Sequence, residues 1–237
     1  MQFSKWHGLG NDYLLVERAE LALPLTPERV QKICDYHFGV GSDGIVEVLS
    51  TNGAGAEVEI WNPDGSTAEL SGNGTRIAAR WLAERSRADE VRVRVGDRVT
   101  RARIHGELVE QELGPVEVGS PEELEEIEFV PVSVGNPHAV VQDDPAEIER
   151  IGRLLERHAR FPDGTNVQVA RVDGPGRVTA RVWERGVGET SSSGTSAVAV
   201  AAALRGEGET EVRFPGGTVL VRIERGNAYL VGPAERV

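Results

Sequence analysis

Residues 61–72, WNPDGSTAELSG, and residues 183–194, WERGVGETSSSG, share the pattern that decides the fold. In each stretch a tryptophan lies ten residues before a Ser-Gly pair, and the second copy follows the first by 122 residues. A solenoid repeat recurs every roughly 20 to 50 residues, which is much shorter than this spacing. The pattern therefore predicts one complete α+β unit that is copied once along the chain.

Two shorter blocks recur in the same order and at nearly the same spacing. Gly10-Asn11 returns as Gly135-Asn136, 125 residues later. Asp43-Gly44 returns as Asp163-Gly164, 120 residues later. Because both the order and the spacing are kept, we expect two domains of similar construction rather than one domain with chance similarities.

The predicted domains meet where the composition of the chain changes. Gly114-Pro115 and the acidic stretch 120–128 interrupt the alternating apolar pattern, and glycine with proline is typical of connections between elements. We predict a first domain over residues 1–115 and a second domain over residues 116–229. The C-terminal residues 230–237 are expected to cross back to the first domain.

Composition limits the classes of function that the chain can have. It has 237 residues, a formal net charge of −12 at pH 7 and 39% hydrophobic residues, which is ordinary for a soluble globular protein. Nucleic acids and anionic membranes usually require a basic face, so we expect neither as a partner. The sequence shows no apolar leader and no apolar run approaching 18 residues, which predicts a cytoplasmic protein.

One cysteine and five histidines bear on disulfides and metal binding. The single cysteine, Cys34, excludes an intrachain disulfide and a cysteine-rich metal site. The five histidines share no ligand spacing, so no metal site is predicted. Cys34 and His37 fall on the apolar face of a predicted helix and are interpreted as core residues.

Apolar alternation predicts seven strands in each half of the chain. They lie near residues 2–6, 13–18, 45–49, 57–61, 91–95, 99–104 and 107–113, and again near residues 128–134, 138–142, 166–171, 178–183, 211–214, 218–224 and 228–231.

Four helices are predicted between these strands. The first has Thr26 as its N-cap, Pro27 in its first turn and Gly39 at its end. Its copy covers residues 145–161. Of the other two helices, one begins after residues 71–74 and runs to about Arg85, and its counterpart begins after Ser193-Gly194 and runs to Leu204. The last of these is almost wholly apolar, which predicts a helix buried on every side at the centre of a domain.

The two Ser-Gly pairs, Ser71-Gly72 and Ser193-Gly194, mark helix starts that could take part in binding or catalysis. The first N–H groups of a helix have no intrahelical partners and the macrodipole adds positive charge, so each start is a site for a carboxylate. Two such starts could hold one carboxylate and stabilise negative charge on the adjacent carbon, which suits chemistry at an amino-acid α-carbon. The simpler interpretation is that both serines are N-caps, a role that serine fills routinely.

Six short segments form an ordered set along the chain. They are KWHGLGND (5–12), WNPDGS (61–66), SGNGTR (71–76), GNPH (135–138), GTN (164–166) and WERGVGET (183–190). This set resembles the signature segments of diaminopimelate epimerases, and the resemblance extends over essentially the full length. It implies an α+β fold of two pseudo-symmetric domains, each a β-sheet wrapped around a central helix, with the active site in the interdomain cleft.

The resemblance also implies a reaction. Diaminopimelate epimerases invert one α-carbon of diaminopimelate, from the LL to the meso form, by proton transfer between two bases. The product feeds lysine and peptidoglycan precursors, and the reaction calls for neither pyridoxal phosphate (PLP) nor a metal. The implied partner is thus a small-molecule amino acid. A homodimer is expected because enzymes commonly form one.

Individual roles follow from the matched segments. The resemblance assigns substrate binding to Asn11, Asn62, Asn136, Asn166, Glu184 and Arg185. It implies that Arg185 binds the distal carboxylate, for which a guanidinium is suited because it binds bidentately, and that Glu184 faces the distal ammonium. The reacting carboxylate is expected at the N–H groups of Gly72, Asn73, Gly194 and Thr195. The catalytic positions are Ser71 and Ser193, with His138 and Glu184 in the flanking segments.

The chain departs from the family at its catalytic positions. Diaminopimelate epimerases have one cysteine in each half, a thiolate and a thiol, where this chain has Ser71 and Ser193. A cysteine has a reference pKa of about 8.5 and a helix N-terminus lowers it, so a thiolate base is accessible at neutral pH. A hydroxyl is far less acidic, and each unit of unfavourable pKa costs about 1.4 kcal/mol in forming the base.

Three interpretations of the two serines stay open from the sequence. In the first, they were introduced into an epimerase to silence it or to avoid a disulfide, which leaves an inactive binding scaffold. In the second, the chain is naturally divergent and binds an amino acid without turnover, or uses His138 or Glu184 as acid or base. In the third, it performs another proton transfer, as phenazine-biosynthesis-type isomerases do with a carboxylate. The retained distal-end residues count against the third.

Overall fold

The chain forms two compact units in a computed structural model that describes residues 2–68 and 71–237. The first unit comprises Met1–Gln111 together with Pro233–Val237, and the second comprises Glu112–Gly232. Each unit has its own cluster of buried apolar side chains. Among the described residues, no helix is long and apolar enough to cross a membrane.

The first unit is built from strands, two α-helices and a short 3-10 helix at Arg18–Glu20. Its strands are β1 (Ser4–Gly8), β2 (Asn11–Glu17), β3 (Ile45–Asn52), β4 (Gly55–Trp61), β5 (Glu90–Val95), β6 (Arg98–His105) and β7 (Leu108–Pro115), the last of which ends beyond the unit boundary. Its helices are α1 (Pro27–Cys34) and α2 (Gly72–Ser86).

The second unit repeats this order of elements, with a 3-10 helix at Pro145–Glu147, and adds the short strands β8 (Glu117–Val118), β9 (Glu122–Leu124) and β14 (Gly188–Thr190). Its other strands are β10 (Ile127–Ser133), β11 (Pro137–Gln142), β12 (Asn166–Gly174), β13 (Arg177–Glu184), β15 (Gly208–Phe214), β16 (Gly217–Glu224) and β17 (Asn227–Pro233). Its helices are α3 (Ile148–Glu156) and α4 (Gly194–Leu204). A last strand, β18 (Glu235–Arg236), pairs with β1 in the first unit.

The strand pairing of the first unit is repeated in the second. In the first unit, β1–β2 is antiparallel, β2–β3 parallel, β3–β4 antiparallel, β4–β5 parallel and β5–β6 antiparallel. In the second unit, the pairs β10–β11, β11–β12, β12–β13, β13–β15 and β15–β16 follow the same alternation. Parallel neighbours need a crossover connection, which α1 and α2 supply in one unit and α3 and α4 in the other. The recurring sequence blocks therefore correspond to recurring topology.

One helix lies at the centre of each unit. α2 contacts strands β1 to β6, and α4 contacts β10 to β13, β15 and β16. Every residue of α4 from Gly194 to Ala202 is buried, as expected for a helix that is apolar all round. The prediction of a buried central helix is confirmed, and so is the α+β architecture in which strands surround one helix.

Two helices are shorter than the sequence predicts. α1 begins as expected, because the Thr26 side chain accepts a backbone N–H and Pro27 occupies the first turn, but it ends at Cys34 rather than at Gly39. α3 ends at Glu156 rather than at residue 161, and its first turn is the separate 3-10 helix at Pro145–Glu147.

Asp35 causes the early end of α1. Its carboxylate accepts the backbone N–H groups of His37 and Phe38, both at 2.7 Å. Such local side-chain bonds offer the backbone an alternative to the helical pattern. His37 is consequently exposed, and its assignment to the core is wrong.

Cys34 does belong to the core, as predicted. It is 3% exposed and packs in a cluster with Val30, Ile45 and Trp61. Its Sγ lies 3.6 Å from the hydroxyl of Ser42. Burial raises the pKa of this thiol, so Cys34 is a small apolar side chain in this fold rather than a reactive one.

Candidate active site

Ser71 is the N-cap of the central helix of the first unit. Its Oγ accepts the backbone N–H of Gly74 at 3.0 Å, which is the capping contact expected of serine. The phenolic hydroxyl of Tyr13 lies 3.1 Å from the same Oγ. Ser71 is therefore both a cap and one member of a hydroxyl pair at the start of α2.

A chain of side-chain hydrogen bonds runs behind the first turn of α2. Nη2 of Arg76 donates to Oδ1 of Asn73 at 2.8 Å, and Nδ2 of Asn73 donates to Oδ1 of Asn11 at 3.0 Å. Nδ2 of Asn11 then donates to Oδ2 of Asp43 at 3.0 Å. Each bond leaves only one orientation for the next amide, so two predicted substrate residues, Asn11 and Asn73, are held between a cation and an anion.

Arg76 is the buried end of this chain. Its side chain is completely buried, its Nε donates to the carbonyl of Pro233 at 2.8 Å, and its Nη1 has no hydrogen-bond partner among residues 2–68 and 71–237. Burial lowers the pKa of Arg76 to about 10, so it remains charged at neutral pH. This charge adds to the positive potential that a helix N-terminus already has.

Asn62 lies apart from that chain, in the turn after β4. Its Nδ2 donates to Oγ of Ser66 at 2.9 Å, and its backbone N–H donates to the Ser66 carbonyl at 2.8 Å. The preceding residue, Trp61, is anchored by a 3.0 Å bond from its indole to the buried carboxylate of Glu47. The turn that presents Asn62 is thus fixed on both sides.

Ser193 begins the central helix of the second unit, but it is bonded differently from Ser71. It is 6% exposed, and within the part of the chain that the structure describes its hydroxyl makes no capping hydrogen bond. The next two residues, Gly194 and Thr195, form the buried first turn of α4. Nδ2 of Asn136 lies 3.5 Å from the hydroxyl of Thr195, so this predicted substrate residue borders the helix start.

His138 is a buried imidazole with a partner at each ring nitrogen. Nδ1 lies 3.0 Å from Nε2 of Gln168, and Nε2 lies 2.9 Å from Oδ1 of Asn136. Because the Gln168 amide nitrogen can only donate, Nδ1 is the acceptor and Nε2 carries the proton. Burial lowers the pKa of His138 to about 3, and the nearby charge of Arg185 adds to that effect. His138 is therefore neutral at physiological pH.

Asn166, Glu184 and Arg185 form a third group, at the ends of β12 and β13. Oδ1 of Asn166 accepts the backbone N–H of Arg185 at 3.1 Å, and Nη1 of Arg185 donates to the carbonyl of Asp163 at 3.2 Å. Glu184 accepts the hydroxyl of Thr190 at 2.5 Å. Arg185 itself is exposed, so its guanidinium is positioned but accessible.

Trp183 ties this group to α3. Its indole donates to Glu156 at 2.9 Å, and the other carboxylate oxygen of Glu156 accepts the backbone N–H of Gly186 at 2.7 Å. A Cβ on Gly152 would come within 2.6 Å of the Trp183 ring. The turn that carries Glu184 and Arg185 is consequently held against the helix by a close glycine contact and a carboxylate clamp.

The predicted residues fall into separate groups within each unit. The structure brings together Ser71, Asn73 and Asn11 in the first unit, with Gly72 in the same helical turn. In the second unit it brings together Asn136, His138 and Thr195, and separately Asn166 and Arg185. Asn62 stands alone in its turn.

Sequence reasoning missed three polar side chains that organise these groups. They are Tyr13, Arg76 and Gln168. Arg76 lies inside a recognised motif, but an arginine is expected at the surface. The signal for Tyr13 was available, since the offset of 125 that relates Asn11 to Asn136 also relates Tyr13 to His138.

These groups define what the site can do chemically. Each unit presents the first turn of a buried helix, whose N–H groups favour an anion, and a serine at the start of that turn. The first unit adds a buried cation, and the second adds an exposed guanidinium that can bind a carboxylate bidentately. The set in each unit thus suits a carboxylate and offers one hydroxyl as a proton carrier.

Solved structures share the fold of the chain. A predicted epimerase from Pseudomonas aeruginosa matches with a TM-score of 0.73 at 16% identity, covering 99% of this chain and 96% of that one. A hydroxyproline epimerase from Agrobacterium vitis with bound trans-4-hydroxy-L-proline matches with a TM-score of 0.75 at 16% identity, covering 100% and 89%. At this level of identity the likeness concerns the fold alone.

Sequence relatives are closer. A diaminopimelate epimerase of Synechocystis sp. is 36% identical, with 100% of this chain and 97% of the relative covered. A diaminopimelate epimerase of Desulfitobacterium hafniense is 38% identical, with 100% and 96% covered. The profile of the family described as "Diaminopimelate epimerase" matches residues 3–119 and 130–237. With every signature segment inside the matched residues, the chain belongs to the diaminopimelate epimerase family.

Proposed function

We propose that this chain is an isomerase that inverts one α-carbon of diaminopimelate, from the LL to the meso form, by proton transfer without PLP or a metal. The observation that carries the proposal is that each unit begins its buried central helix with a serine at the position of a family base. Family membership over the whole chain supports the substrate.

The binding roles follow from the groups described above. Arg185 binds the distal carboxylate, and Glu184 faces the distal ammonium, since their charges are opposite to those of the ligand. Asn62 and Asn166 orient the same end, and Asn11 and Asn136 contact the reacting end. The reacting carboxylate accepts hydrogen bonds from the N–H groups of Gly72, Asn73, Gly194 and Thr195.

The proton transfer assigns opposite faces of the α-carbon to Ser71 and Ser193. One oxygen takes the α-proton as the other delivers a proton to the opposite face, and the configuration inverts. The negative charge that develops next to the carboxylate is stabilised by the helix N-termini and by the buried charge of Arg76. His138 supports the site rather than supplies a base, because its low pKa makes it a weak base and its two ring nitrogens are engaged.

Hydroxyls make this a slow epimerase relative to a cysteine-containing one. An alkoxide is several pKa units harder to form than a thiolate, and each unit is worth about 1.4 kcal/mol, a factor of ten in rate. We therefore expect a specific but weak proton transfer.

One observation favours a second function, amino-acid binding without turnover. Ser71 Oγ already accepts the Gly74 N–H as a helix cap, which is a complete structural role for a serine. In that case the proposed substrate residues still bind the ligand, and the two hydroxyls transfer no proton.

An exchange experiment separates the two functions. The protein is incubated with diaminopimelate in deuterated buffer, and loss of the α-proton signal is followed by NMR. The double variant Ser71→Cys, Ser193→Cys is measured in parallel, with the exposed Ser50→Cys as a control for an added thiol. Exchange by the unmodified chain supports the epimerase, and the double variant is expected to be at least about 100-fold faster.

Two other results would change the proposal. Exchange only in the double cysteine variant would leave an epimerase site without working bases, which is the binding function. No exchange in either protein, when both are folded and bind diaminopimelate, would contradict inversion of this substrate. We also propose that the protein is cytoplasmic and forms a homodimer. Light scattering on the purified protein tests the dimer.

A further inference from the structure

Among residues 2–68 and 71–237, Tyr13 is the one titratable side chain that lies within hydrogen-bond distance of Ser71, the proposed base of the first unit. Its phenolic oxygen lies 3.1 Å from Oγ of Ser71. We propose that Tyr13 is the proton partner of Ser71, so that the first base is a tyrosine–serine pair rather than a lone serine. This inference rests on the proposed function and deepens it by assigning a residue that acts through Ser71.

The phenol is held in place by its surroundings. Tyr13 is 6% exposed and belongs to the core cluster around α2. A Cβ on Gly44 would lie 2.6 Å from Cε1 of the Tyr13 ring and 2.5 Å from the Trp61 carbonyl. Only glycine fits at position 44 beside this ring, so the ring is held in an orientation that places its hydroxyl next to Ser71.

The duplication gives Tyr13 an equivalent in the second unit. Tyr13 follows Asn11 by two residues in β2, and His138 follows Asn136 by two residues in β11. Tyr13 pairs with Trp6 of β1, and His138 pairs with Val132 of β10, in antiparallel ladders that correspond between the units. The two copies thus have a titratable ring at the same topological position.

The equivalent rings are used differently. Both nitrogens of His138 are engaged, with Asn136 and with Gln168, and Gln168 also donates to Ser196 at 3.0 Å. The imidazole therefore contacts Asn136 and Gln168, whereas the phenol of Tyr13 contacts the proposed base, Ser71. In the described part of the chain, the equivalent ring therefore contacts the proposed base in the first unit and does not do so in the second.

The proton accounting is as follows for the direction in which Ser71 acts as base. The α C–H bond of the substrate breaks, and its proton forms an O–H bond on Ser71. At the same time the Ser71 hydroxyl proton passes to the ionised oxygen of Tyr13, which becomes a neutral phenol, and the negative charge moves to the α-carbon. In the opposite direction the phenol reprotonates Ser71 as Ser71 delivers its proton to the carbanion.

This relay lowers the free energy needed to remove the hydroxyl proton of Ser71. A phenol has a reference pKa of about 10, well below that of an aliphatic hydroxyl, and tyrosine is an established general acid–base group. Serine becomes useful when a neighbouring group takes its proton. A cysteine at position 71 would not need the phenol, because a thiolate forms without help.

A double-mutant cycle tests the proposal through α-proton exchange. The four proteins are the unmodified chain, Tyr13→Phe, Ser71→Cys and the combined variant, with Tyr229→Phe as the matched control for loss of one phenol. Tyr13→Phe is expected to slow exchange about 100-fold with serine at position 71. With cysteine there, the same change is expected to slow exchange less than about threefold. Melting curves verify that each variant is folded.

The pH profile adds a readout that a packing role would not move. Exchange by the unmodified chain should rise about tenfold per pH unit below pH 10 or so, because the ionised phenol is the reactive form. The difference in slope between the unmodified chain and Tyr13→Phe isolates this contribution from ionisation of the substrate.

The outcomes separate this inference from the proposed function. Equal losses in the serine and cysteine backgrounds, or no loss in either, would overturn the Tyr13 relay and leave the epimerase standing. Exchange by the cysteine variants alone would also overturn the relay, since the Tyr13 and Ser71 hydroxyls would then transfer no proton. Absence of exchange in every variant, including Ser71→Cys, Ser193→Cys, would overturn the proposed function and the relay together.

Discussion

The guanidinium of Arg76 donates from Nη2 to Oδ1 of Asn73 at 2.8 Å, although Arg76 is completely buried. A buried charge is costly unless it is hydrogen-bonded and has a purpose. In this fold it fixes the amide of Asn73, which in turn fixes Asn11. The cation is therefore part of the support for two proposed substrate residues and lies in the helix whose first turn is proposed to bind the carboxylate.

Replacing Arg76 with Lys should damage both stability and binding. Lysine retains the charge but cannot direct one bond to Pro233 and a second to Asn73. We expect the free energy of unfolding to fall by about 1–3 kcal/mol and diaminopimelate to bind about tenfold more weakly. Urea denaturation and titration calorimetry measure the two effects.

The control for that change is Arg80→Lys on the same helix. Arg80 forms an i,i+4 pair with the half-exposed Glu84, and such pairs contribute under about 1 kcal/mol. If Arg76→Lys is no more disruptive than Arg80→Lys, the role assigned to the buried guanidinium is wrong.

Replacing Arg185 with Ala should abolish most ligand binding without unfolding the protein. Arg185 is exposed, and within the described residues its side chain makes one hydrogen bond, to the carbonyl of Asp163, so the fold does not depend on it. Loss of a charged pair with a carboxylate is worth about 2–3 kcal/mol, roughly a 30- to 150-fold rise in Kd. Calorimetry with Arg181→Ala as the control is the measurement, and unchanged affinity would contradict the distal-carboxylate role.

His138 should make the protein less stable in acid. Its folded-state pKa is about 3, below the ordinary value of about 6.5, so between these values the unfolded chain binds more protons than the folded one. Stability from this group is fully present above pH 6.5 or so and declines as the pH falls, by about 3 kcal/mol at pH 4.

The variant His138→Gln isolates that contribution. Its free energy of unfolding should vary less between about pH 6.5 and pH 4 than that of the unmodified chain. His37→Gln, at an exposed position, is the control and should follow the unmodified curve. Parallel curves for the unmodified chain and His138→Gln would show that the imidazole is protonated in the folded state.

Much of this architecture was predictable because local chemistry determined it. All fourteen predicted strands overlap observed ones, since alternating Val, Ile and Arg residues have one buried and one solvated face. The apolar run from Gly194 to Leu204 could only be an interior helix. Where prediction failed, a side chain competed with the pattern, as Asp35 does at the end of α1.

The candidate site was less predictable, because its polar contacts join residues that are distant in sequence. Motifs named Asn11 and Asn73, but the contact of Asn11 with Asp43 and that of Asn73 with Asn11 are set by tertiary packing. The same holds for Gln168, which contacts His138 from a neighbouring parallel strand. The residue types indicated the chemistry of the site, but the hydrogen-bond partners could be identified only from the fold.

Replacing Gly152 with Ala should destabilise the second unit. The new Cβ would come within 2.6 Å of the Trp183 ring, and overpacking of this kind costs about 1–3 kcal/mol, partly offset by the helix preference of alanine. Gly55→Ala is the control, because among the described residues the nearest atom to its Cβ would be the Asn52 carbonyl oxygen at 3.3 Å. Thermal unfolding monitored by tryptophan fluorescence measures both, and equal melting temperatures would refute the close contact.

The buried thiol of Cys34 has a practical consequence for work on this protein. Since the chain has one cysteine and the fold shields it, a thiol-reactive dye or spin label added to the folded protein should leave position 34 unmodified. Any cysteine introduced elsewhere can then be labelled alone, without first constructing a cysteine-free background. The chain is in this respect ready for distance measurements in solution, with probes attached wherever a question about motion or ligand binding requires them.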